Sequence, residues 1–236
     1  MQFEVIPIKG MIENAYLIKG RRIALVDTLS PSGWRKLQKV LGASRISAGD
    51  IEFILITHHH FDHCGNLARL KELSGATVIA GEADIPVIDG TAPSPPPSRL
   101  NRLGRVLGKV PEPLINSYQK YDKVEVDRLV SGGEMIEELG LEVIALPGHT
   151  PGGVGYYDPE GKRAFIGDLV SYWLSSARMP TISASESIEQ IRGSQELLVG
   201  LDLKTAYPGH GTVIQPEASK TIGSFVARKK AGEARV

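Results

Sequence analysis

The sequence predicts a mixed α/β fold. Three short segments rich in β-branched and other apolar residues open the chain, at Phe3 to Ile8, Asn14 to Ile18 and Arg22 to Val26. Further short apolar runs then alternate with longer segments in which apolar residues recur at helical spacing. Several of the apolar runs stop at a histidine or an aspartate, so polar chemistry is expected at the ends of strands.

The first half of the chain follows this alternation element by element. Glycine-containing turns separate the three opening segments, which is typical of an antiparallel meander. Pro31 and the apolar spacing from Trp34 to Leu41 predict a helix that ends near Gly42. Ile51 to Ile56 is short and almost wholly apolar, so it predicts a strand buried on both faces. The next predicted elements are a helix over Gly65 to Leu73, capped by Gly75, and a strand at Thr77 to Ala80.

Residues from about 84 to 122, the lid segment, interrupt the alternation. Prolines break the pattern, and Leu100, Leu103, Val106 and Leu107 predict a short amphipathic helix. Two interpretations stay open: a lid over a pocket, or a surface loop packed on the body. With this excursion included, residues 1–236 are predicted to form one domain, because α/β folds often run to ~200–250 residues as one unit.

In the second half, strands again lead into polar residues. Leu141 to Leu146 runs into Pro147-Gly148-His149, and a hairpin of Val154 to Tyr157 and Arg163 to Ile166 leads to Asp168. Thr205 to Tyr207 similarly leads to His210. Helices are predicted over Ser187 to Leu198 and after Pro216.

Composition narrows the class of partner. Lys plus Arg and Asp plus Glu both number 27, so no excess positive charge attracts nucleic acid or an anionic membrane. The expected partner is a small-molecule substrate, with no nucleic acid and no membrane, and a homodimer is left open. One cysteine excludes an internal disulfide, no apolar run approaches ~20 residues, and the start carries no secretion signal, so we expect a cytoplasmic location.

The stretch from Thr57 to Gly65 holds four of the six histidines. On an extended segment His58 and His60 point the same way and can bind one ion, whereas His59 points away. Asp62 and His63 follow where the chain turns towards the next helix, so they approach from another side. The stretch therefore predicts halves of two metal sites, and Cys64 is expected to be a small buried packing residue.

At this point the sequence resembles the metallo-β-lactamase-fold hydrolases, on the glyoxalase II and lactonase-like side. Their His-x-His-x-Asp-His signature is met by His58, His60, Asp62 and His63, and the strand ending at Asp27, Gly148-His149, Gly167-Asp168 and Gly209-His210 follow the family order. The resemblance implies an αββα four-layer sandwich. It places His58, His60 and His149 on one metal and Asp62, His63 and His210 on the other, with Asp168 bridging and Asp27 supporting the loop. It implies two divalent ions, with zinc expected first and iron, manganese or a mixed pair as alternatives.

Two such metals lower the pKa of a shared water from 15.7 towards ~7 and polarise the substrate, so no serine or cysteine nucleophile is required. The sequence has no Gly-x-Ser-x-Gly elbow, phosphate-binding loop or dinucleotide fingerprint. The prediction is a hydrolase that uses a metal-bridging hydroxide on a small-molecule ester, lactone or thioester, with Asp62 and Asp168 in the catalytic centre.

Differences between this sequence and individual subfamilies narrow the expected substrate class. Class B β-lactamases lack the bridging aspartate, whereas this chain has Asp168. Only 26 residues follow His210, fewer than the helical glutathione-binding domain of glyoxalase II enzymes needs. The small lactonases place a substrate-contacting Tyr three residues beyond the bridging aspartate. Here Ser171 stands there and Tyr172 follows, so Tyr172 is the candidate catalytic contact.

Three alternatives remain open. A phosphodiester or phosphotriester hydrolase would use the same pair of metals. A persulfide dioxygenase would hold a single iron and consume oxygen. A metal-stabilised binding protein would have no turnover.

Overall fold

The protein is described here from a computed structural model, which covers residues 3–111, 114 and 120–233. Two sheets and a small hairpin form its β-structure. The first sheet has the order β1-β2-β3-β4-β5-β6, in which β1 to β3 are antiparallel and β3 to β6 are parallel. Its strands are β1 Glu4–Lys9, β2 Asn14–Lys19, β3 Ile23–Val26, β4 Phe53–Leu55, β5 Thr77–Gly81 and β6 Arg128–Val130.

The second sheet has the order β13-β10-β9-β8-β7, and only the β10–β13 pair is parallel. Its strands are β7 Met135–Ile136, β8 Leu141–Ala145, β9 Val154–Asp158, β10 Arg163–Gly167 and β13 Thr205–Pro208. The hairpin consists of β11 Ser171–Trp173 and β12 Ser176–Arg178.

The described helices lie mainly outside the sheets. They are α1 Trp34–Ala43, α2 Phe61–Cys64, α3 Leu67–Ser74, α4 Ile85–Ile88, α5 Arg102–Leu107, α6 Ile188–Gly200 and α7 Ala218–Glu233. Short 3-10 turns occur at Pro31–Gly33, Ala48–Asp50, Glu82–Asp84 and Ile182–Ala184.

The layers follow from the alternation of side chains between the two faces of each strand. On β2, Ala15 and Leu17 pack with residues of α1 and α3, whereas Tyr16 and Ile18 pack against the second sheet. A third cluster joins the second sheet to α6 and α7. Because successive side chains of a strand point to opposite faces, each sheet buries one face on its partner and the other on helices. The αββα sandwich is therefore confirmed.

Most predicted elements are present with small shifts at their ends. The strand expected over 51–56 is limited to Phe53–Leu55, although Ile51, Ile54, Leu55 and Ile56 are all buried. Gly75 ends α3 in the left-handed conformation, at φ 64°, as expected of a glycine cap. The short strands β6 and β7 and the β11–β12 hairpin were not predicted, because segments of two or three residues are too brief to show a period.

The lid segment forms α4 and α5 within its described part, and residues 112, 113 and 115–119 of that prediction lie outside the described residues. On α5, Gly104 is buried, whereas Leu103 and Val106 are 56% and 61% exposed. The predicted helix exists, but Leu103 and Val106 face outward and Leu107 is half-buried. Among the described helices none is long and apolar enough to cross a membrane.

Candidate metal centre

The predicted ligands converge because four strands end at the same edge of the sandwich. Residues 57–65 lie on the loop after β4 and on the short helix α2, and the loop after β8 carries His149. Asp168 follows β10 directly, and His210 follows β13. All seven predicted ligand residues fall into overlapping groups of three whose ligand atoms lie within 4.8 Å of one another. The ligand assignment itself remains a prediction.

One group, the three-histidine site, consists of His58, His60 and His149. Their ring centroids are 4.7–4.9 Å apart. Burial lowers the pKa of His58 and His60 well below the ordinary value and that of His149 to about 4. These imidazoles are therefore neutral at pH 7, which is the form that binds a metal.

The second site consists of Asp62, His63 and His210. Burial alone would lower the pKa of both histidines, but nearby carboxylates raise it, led by Asp168, to about 9 for His63 and about 11 for His210. Burial would raise the pKa of Asp62, yet His63 and His210 hold it at about 2. In this site the carboxylates thus favour the protonated imidazoles, and the imidazoles favour the ionised carboxylate.

Asp168 lies between the two sites. Its Oδ2 is 3.1 Å from His210 Nε2 and 3.4 Å from His149 Nε2, and its Oδ1 is 3.5 Å from His63 Nε2. A carboxylate that reaches ligands of both groups has the placement that a bridging ligand requires.

Divalent cations fit this donor set. His58 Nε2, His63 Nε2 and Asp168 Oδ1 are buried and make no hydrogen bond among the described residues. Buried polar atoms are normally satisfied, so atoms left open towards one point call for an additional partner. Nitrogen and oxygen donors of this kind suit zinc and iron.

The other ring nitrogen of four predicted ligands is held by a neighbour, which fixes the ring orientation. The Nδ1 contacts are His58 with Thr57 Oγ1 at 3.0 Å, His63 with Asp27 Oδ2 at 2.8 Å, His149 with Ser185 Oγ at 2.8 Å and His210 with Ile12 O at 3.0 Å. Ser185 Oγ donates to Thr181 O at 3.0 Å, so it accepts from His149 Nδ1–H and leaves Nε2 free for metal. Sequence reasoning missed Ser185 and Ile12, because neither stands in a motif.

Asp27 makes the contacts expected of it. It accepts hydrogen bonds from Thr57 N and Thr57 Oγ1, both at 2.8 Å, besides its contact with His63. The tight loop after β3 contains no glycine. Instead, Asp27 and Leu29 adopt the left-handed conformation, at φ 57° and 60°, and Thr28 donates through N and Oγ1 to His63 O. The loop is shaped by its hydrogen bonds to the histidine stretch.

Gly209 allows the close approach of the last ligand loop. A methyl group there would overlap Asp168 Oδ1 and lie 2.7 Å from His63 Cε1. Asn14 and Tyr16 of β2 donate to Pro208 O, at 2.9 and 2.6 Å, and hold this loop against the first sheet.

The remaining residues singled out in the sequence lie outside both groups. His59 points away, with Nδ1 3.1 Å from Asp84 Oδ2. Cys64 is fully buried in the core between the first sheet and its helices, and burial raises the pKa of its thiol. Tyr172 packs its partly buried side chain against the core beneath the second sheet. Its predicted contact with substrate stays a prediction.

A cleft of about 120 Å³ opens beside His60. Its walls are formed by residues 59–61, by residues 94–98 with Leu107 of α5, and by residues 183–186. The tips of the β1–β2 and β11–β12 hairpins expose further apolar side chains, with Met11 at 81% and Leu174 at 92%.

Comparison with known proteins identifies the class. The sequence matches the metallo-beta-lactamase superfamily model over residues 8–210, and the chain belongs to that superfamily. The two-sheet αββα architecture agrees with this assignment.

Individual proteins also match the sequence over part of its length. The chain is 32% identical over 123 residues to the hydroxyacylglutathione hydrolases of Brucella ovis and Brucella abortus strain 2308. That match covers 51% of this chain and only 34% of the length of those relatives.

Solved structures agree on the fold. A metallo-beta-lactamase family protein of Thermus thermophilus has a TM-score of 0.75 at 23% identity, covering 97% of this chain and 79% of that one. TTHA1623 in a di-iron-bound form has a TM-score of 0.66 at 25% identity, covering 94% and 99%. The subclass B3 metallo-beta-lactamase BJP-1 of Bradyrhizobium japonicum has a TM-score of 0.68 at 19% identity, covering 100% and 93%.

Proposed function

We propose that this protein hydrolyses a small-molecule carboxylic ester, lactone or thioester at a centre of two divalent cations. The observation that carries the proposal is the position of Asp168, whose carboxylate reaches His210 and His149, one from each site, within 3.4 Å. The two groups of donors would hold two divalent ions with Asp168 between them, and such a pair is what a two-metal hydrolase uses.

The relatives support this chemistry. The Brucella proteins are named as hydrolases of hydroxyacylglutathione, which is a thioester. Zinc is our first choice of metal, and the di-iron-bound relative keeps iron as the main alternative.

Bound metals would supply an activated water and a polarised substrate oxygen. The protein side chains orient the groups that take part in the reaction. His58, His63 and His149 are oriented by their Nδ1 partners, so little reorganisation accompanies the reaction. Asp62 is held in its ionised form by His63 and His210, so its carboxylate would bind a metal beside those two histidines.

The cleft beside His60 is our proposed substrate pocket. Phe61, Leu107 and the prolines at 95–97 give it apolar walls, and the serines at 94, 98, 183 and 185 add hydroxyl groups. We propose a substrate with an apolar group near the scissile bond, the lid segment as one wall of the pocket, and Tyr172 as a contact from the hairpin side. A cytoplasmic location and the absence of nucleic-acid and membrane partners belong to the same proposal.

The test is a hydrolysis panel on protein whose metal content has been measured. Lactones, carboxylic esters, thioesters, phosphodiesters and phosphotriesters are compared by kcat/KM. We expect about two ions per chain and the highest kcat/KM on a carboxylic substrate. A higher kcat/KM on a phosphoester would mean that the protein is a phosphoester hydrolase. One iron per chain with oxygen uptake would mean that it is a persulfide dioxygenase and not a hydrolase.

A further inference from the structure

Asp84 is a buried carboxylate with no assigned role in the centre described above. It ends the 3-10 turn Glu82–Asp84 after β5, and its side chain is fully buried. Burying a carboxylate is costly unless it is hydrogen-bonded, so its partners indicate why it is there.

Those partners belong to the two loops that carry the three-histidine site. Asp84 Oδ2 accepts from His59 N at 2.9 Å, between the ligands His58 and His60. The same oxygen accepts from Thr150 Oγ1 at 2.7 Å, one residue after the ligand His149. Asp84 Oδ1 accepts from Gly152 N at 2.7 Å. One carboxylate therefore joins the loop after β4 to the loop after β8.

The junction is tight and charged. A methyl group at Gly152 would overlap Asp84 N and lie 2.8 Å from Asp84 Oδ1, so the loop can approach only because residue 152 is glycine. Burial would raise the pKa of Asp84, but the nearby His59 imidazole, with Nδ1 3.1 Å from Asp84 Oδ2, and the hydrogen bonds from Thr150 and Gly152 outweigh it and hold that pKa below the ordinary value. The ionised form, which accepts from all three donors, is the one present at pH 7.

The second site is held by different groups. His63 is oriented by Asp27 and His210 by Ile12 O, and none of the hydrogen bonds of Asp84 reaches Asp62, His63 or His210. Asp84 therefore contacts only the loops of the three-histidine site, whereas Asp27 reaches both sites, His63 directly and His58 through Thr57.

We propose that Asp84 is a positioning residue that sets the spacing of the three-histidine site and thereby its metal affinity, independently of the second site. The inference rests on the metal centre of the proposed function, and it does not depend on the substrate. Groups that orient metal ligands typically contribute 10–100-fold to metal affinity or activity.

The test uses Asp84→Asn, which keeps the shape of the side chain. The amide can still accept from Gly152 N through its oxygen, but its NH2 group then faces the donors His59 N and Thr150 Oγ1. Co²⁺ is titrated into metal-free protein and followed by absorption and calorimetry. His60→Ala and His210→Ala provide reference spectra, since each removes a predicted ligand of one site.

We expect Asp84→Asn to weaken the three-histidine site about 10–100-fold and to leave the affinity of the second site within about twofold. Thr150→Val removes one of the three donors and is expected to give an intermediate effect. The matched control is Asp127→Asn, because Asp127 also accepts a backbone bond, from Val78 N at 2.8 Å, but lies at the far end of β5 and β6. It should bind both ions as the unchanged protein does.

Thermal unfolding of the metal-free variants separates positioning from general stability. Unchanged binding at both sites in Asp84→Asn would overturn the proposal. The proposal would also be overturned if Asp84→Asn and the milder Thr150→Val each lowered the metal affinity of both sites equally. The carboxylate would then support the fold as a whole. If the unchanged protein binds two Co²⁺ ions but hydrolyses nothing, the proposed function fails and the assignment of Asp84 stands.

Discussion

Adjacent residues of the histidine stretch have opposite environments. His60 joins the three-histidine site, whereas His59 turns away to Asp84. Because His60 supplies one of three nitrogens to that site, His60→Ala should lose one of two bound ions and reduce kcat by at least about a hundredfold. His59→Ala should keep both ions, since the backbone N–H that Asp84 uses remains. Metal analysis after dialysis measures both, and equal losses would refute the assigned orientation of the stretch.

Gly209 gives a test of close packing at the centre. A methyl group there would meet Asp168 and His63, so Gly209→Ala should displace Asp168 and lower metal content. The control is Gly193→Ala within α6, where nothing lies within 4 Å of the added methyl. That change should stabilise the protein by about 0.5–1 kcal/mol, because alanine is the better helix former. Metal content and denaturant unfolding are measured for both variants, and an unaffected Gly209→Ala would contradict the close approach.

Protonation should separate the two sites. The pKa values of His63 and His210 are raised to about 9 and about 11, so both histidines carry protons below those values and must release them to bind a metal. Affinity of the second site should therefore rise with pH between 6 and 8, by up to roughly tenfold per proton for each pH unit. His149, with its pKa lowered to about 4, is already neutral there, so the three-histidine site should respond little. Zn²⁺ titrations at pH 6, 7 and 8 check this, and identical slopes for both sites would contradict it.

Among the elements, the lid segment has a role that does not follow from the fold. Residues 94–98 and Leu107 line the cleft, but no predicted metal ligand lies in this segment. Replacing residues 94–107 by a short glycine-serine linker should change the ranking of substrates by kcat/KM more than it changes metal content. Leu103→Ser is the matched surface control, because Leu103 is on α5 and 56% exposed outside the cleft. Loss of metal in the linker variant would mean that residues 94–107 support the centre.

At the scale of the whole molecule, the centre joins the two sheets. His58, His60, Asp62 and His63 follow a strand of the first sheet, and His149, Asp168 and His210 follow strands of the second. Each bound ion should therefore stabilise the folded state by about 4 kcal/mol at a free concentration about 1,000 times its Kd. Chelation should lower the Tm by roughly 8–16 °C per site for a chain of this size. Calorimetry with and without chelator measures it, and an unchanged Tm would show that the ions do not link the sheets.

Several features of the fold follow from local pattern alone. The short apolar segment of β2, the apolar run before Thr57 and the glycine after α3 each predict their element, because burial and backbone preference act over a few neighbouring residues. Strands β6 and β7 and the hairpin at 171–178 were not predicted. They exist because a neighbouring strand pairs with them, and pairing of that kind leaves little trace in a short segment.

The sequence by itself predicted the metal ligands. His58, His60, Asp62 and His63 stand so close along the chain that local geometry alone brings them together, and residues following strand ends supply the other three predicted ligands. Only the tertiary structure decided how those ligands are held. Ser185, Ile12 O and Asp84, which no motif indicated, reach the ligands or their loops from positions 25 to 198 residues away along the chain. Single hydrogen bonds over such distances depend on how the sheets stack, and stacking is a property of the whole fold.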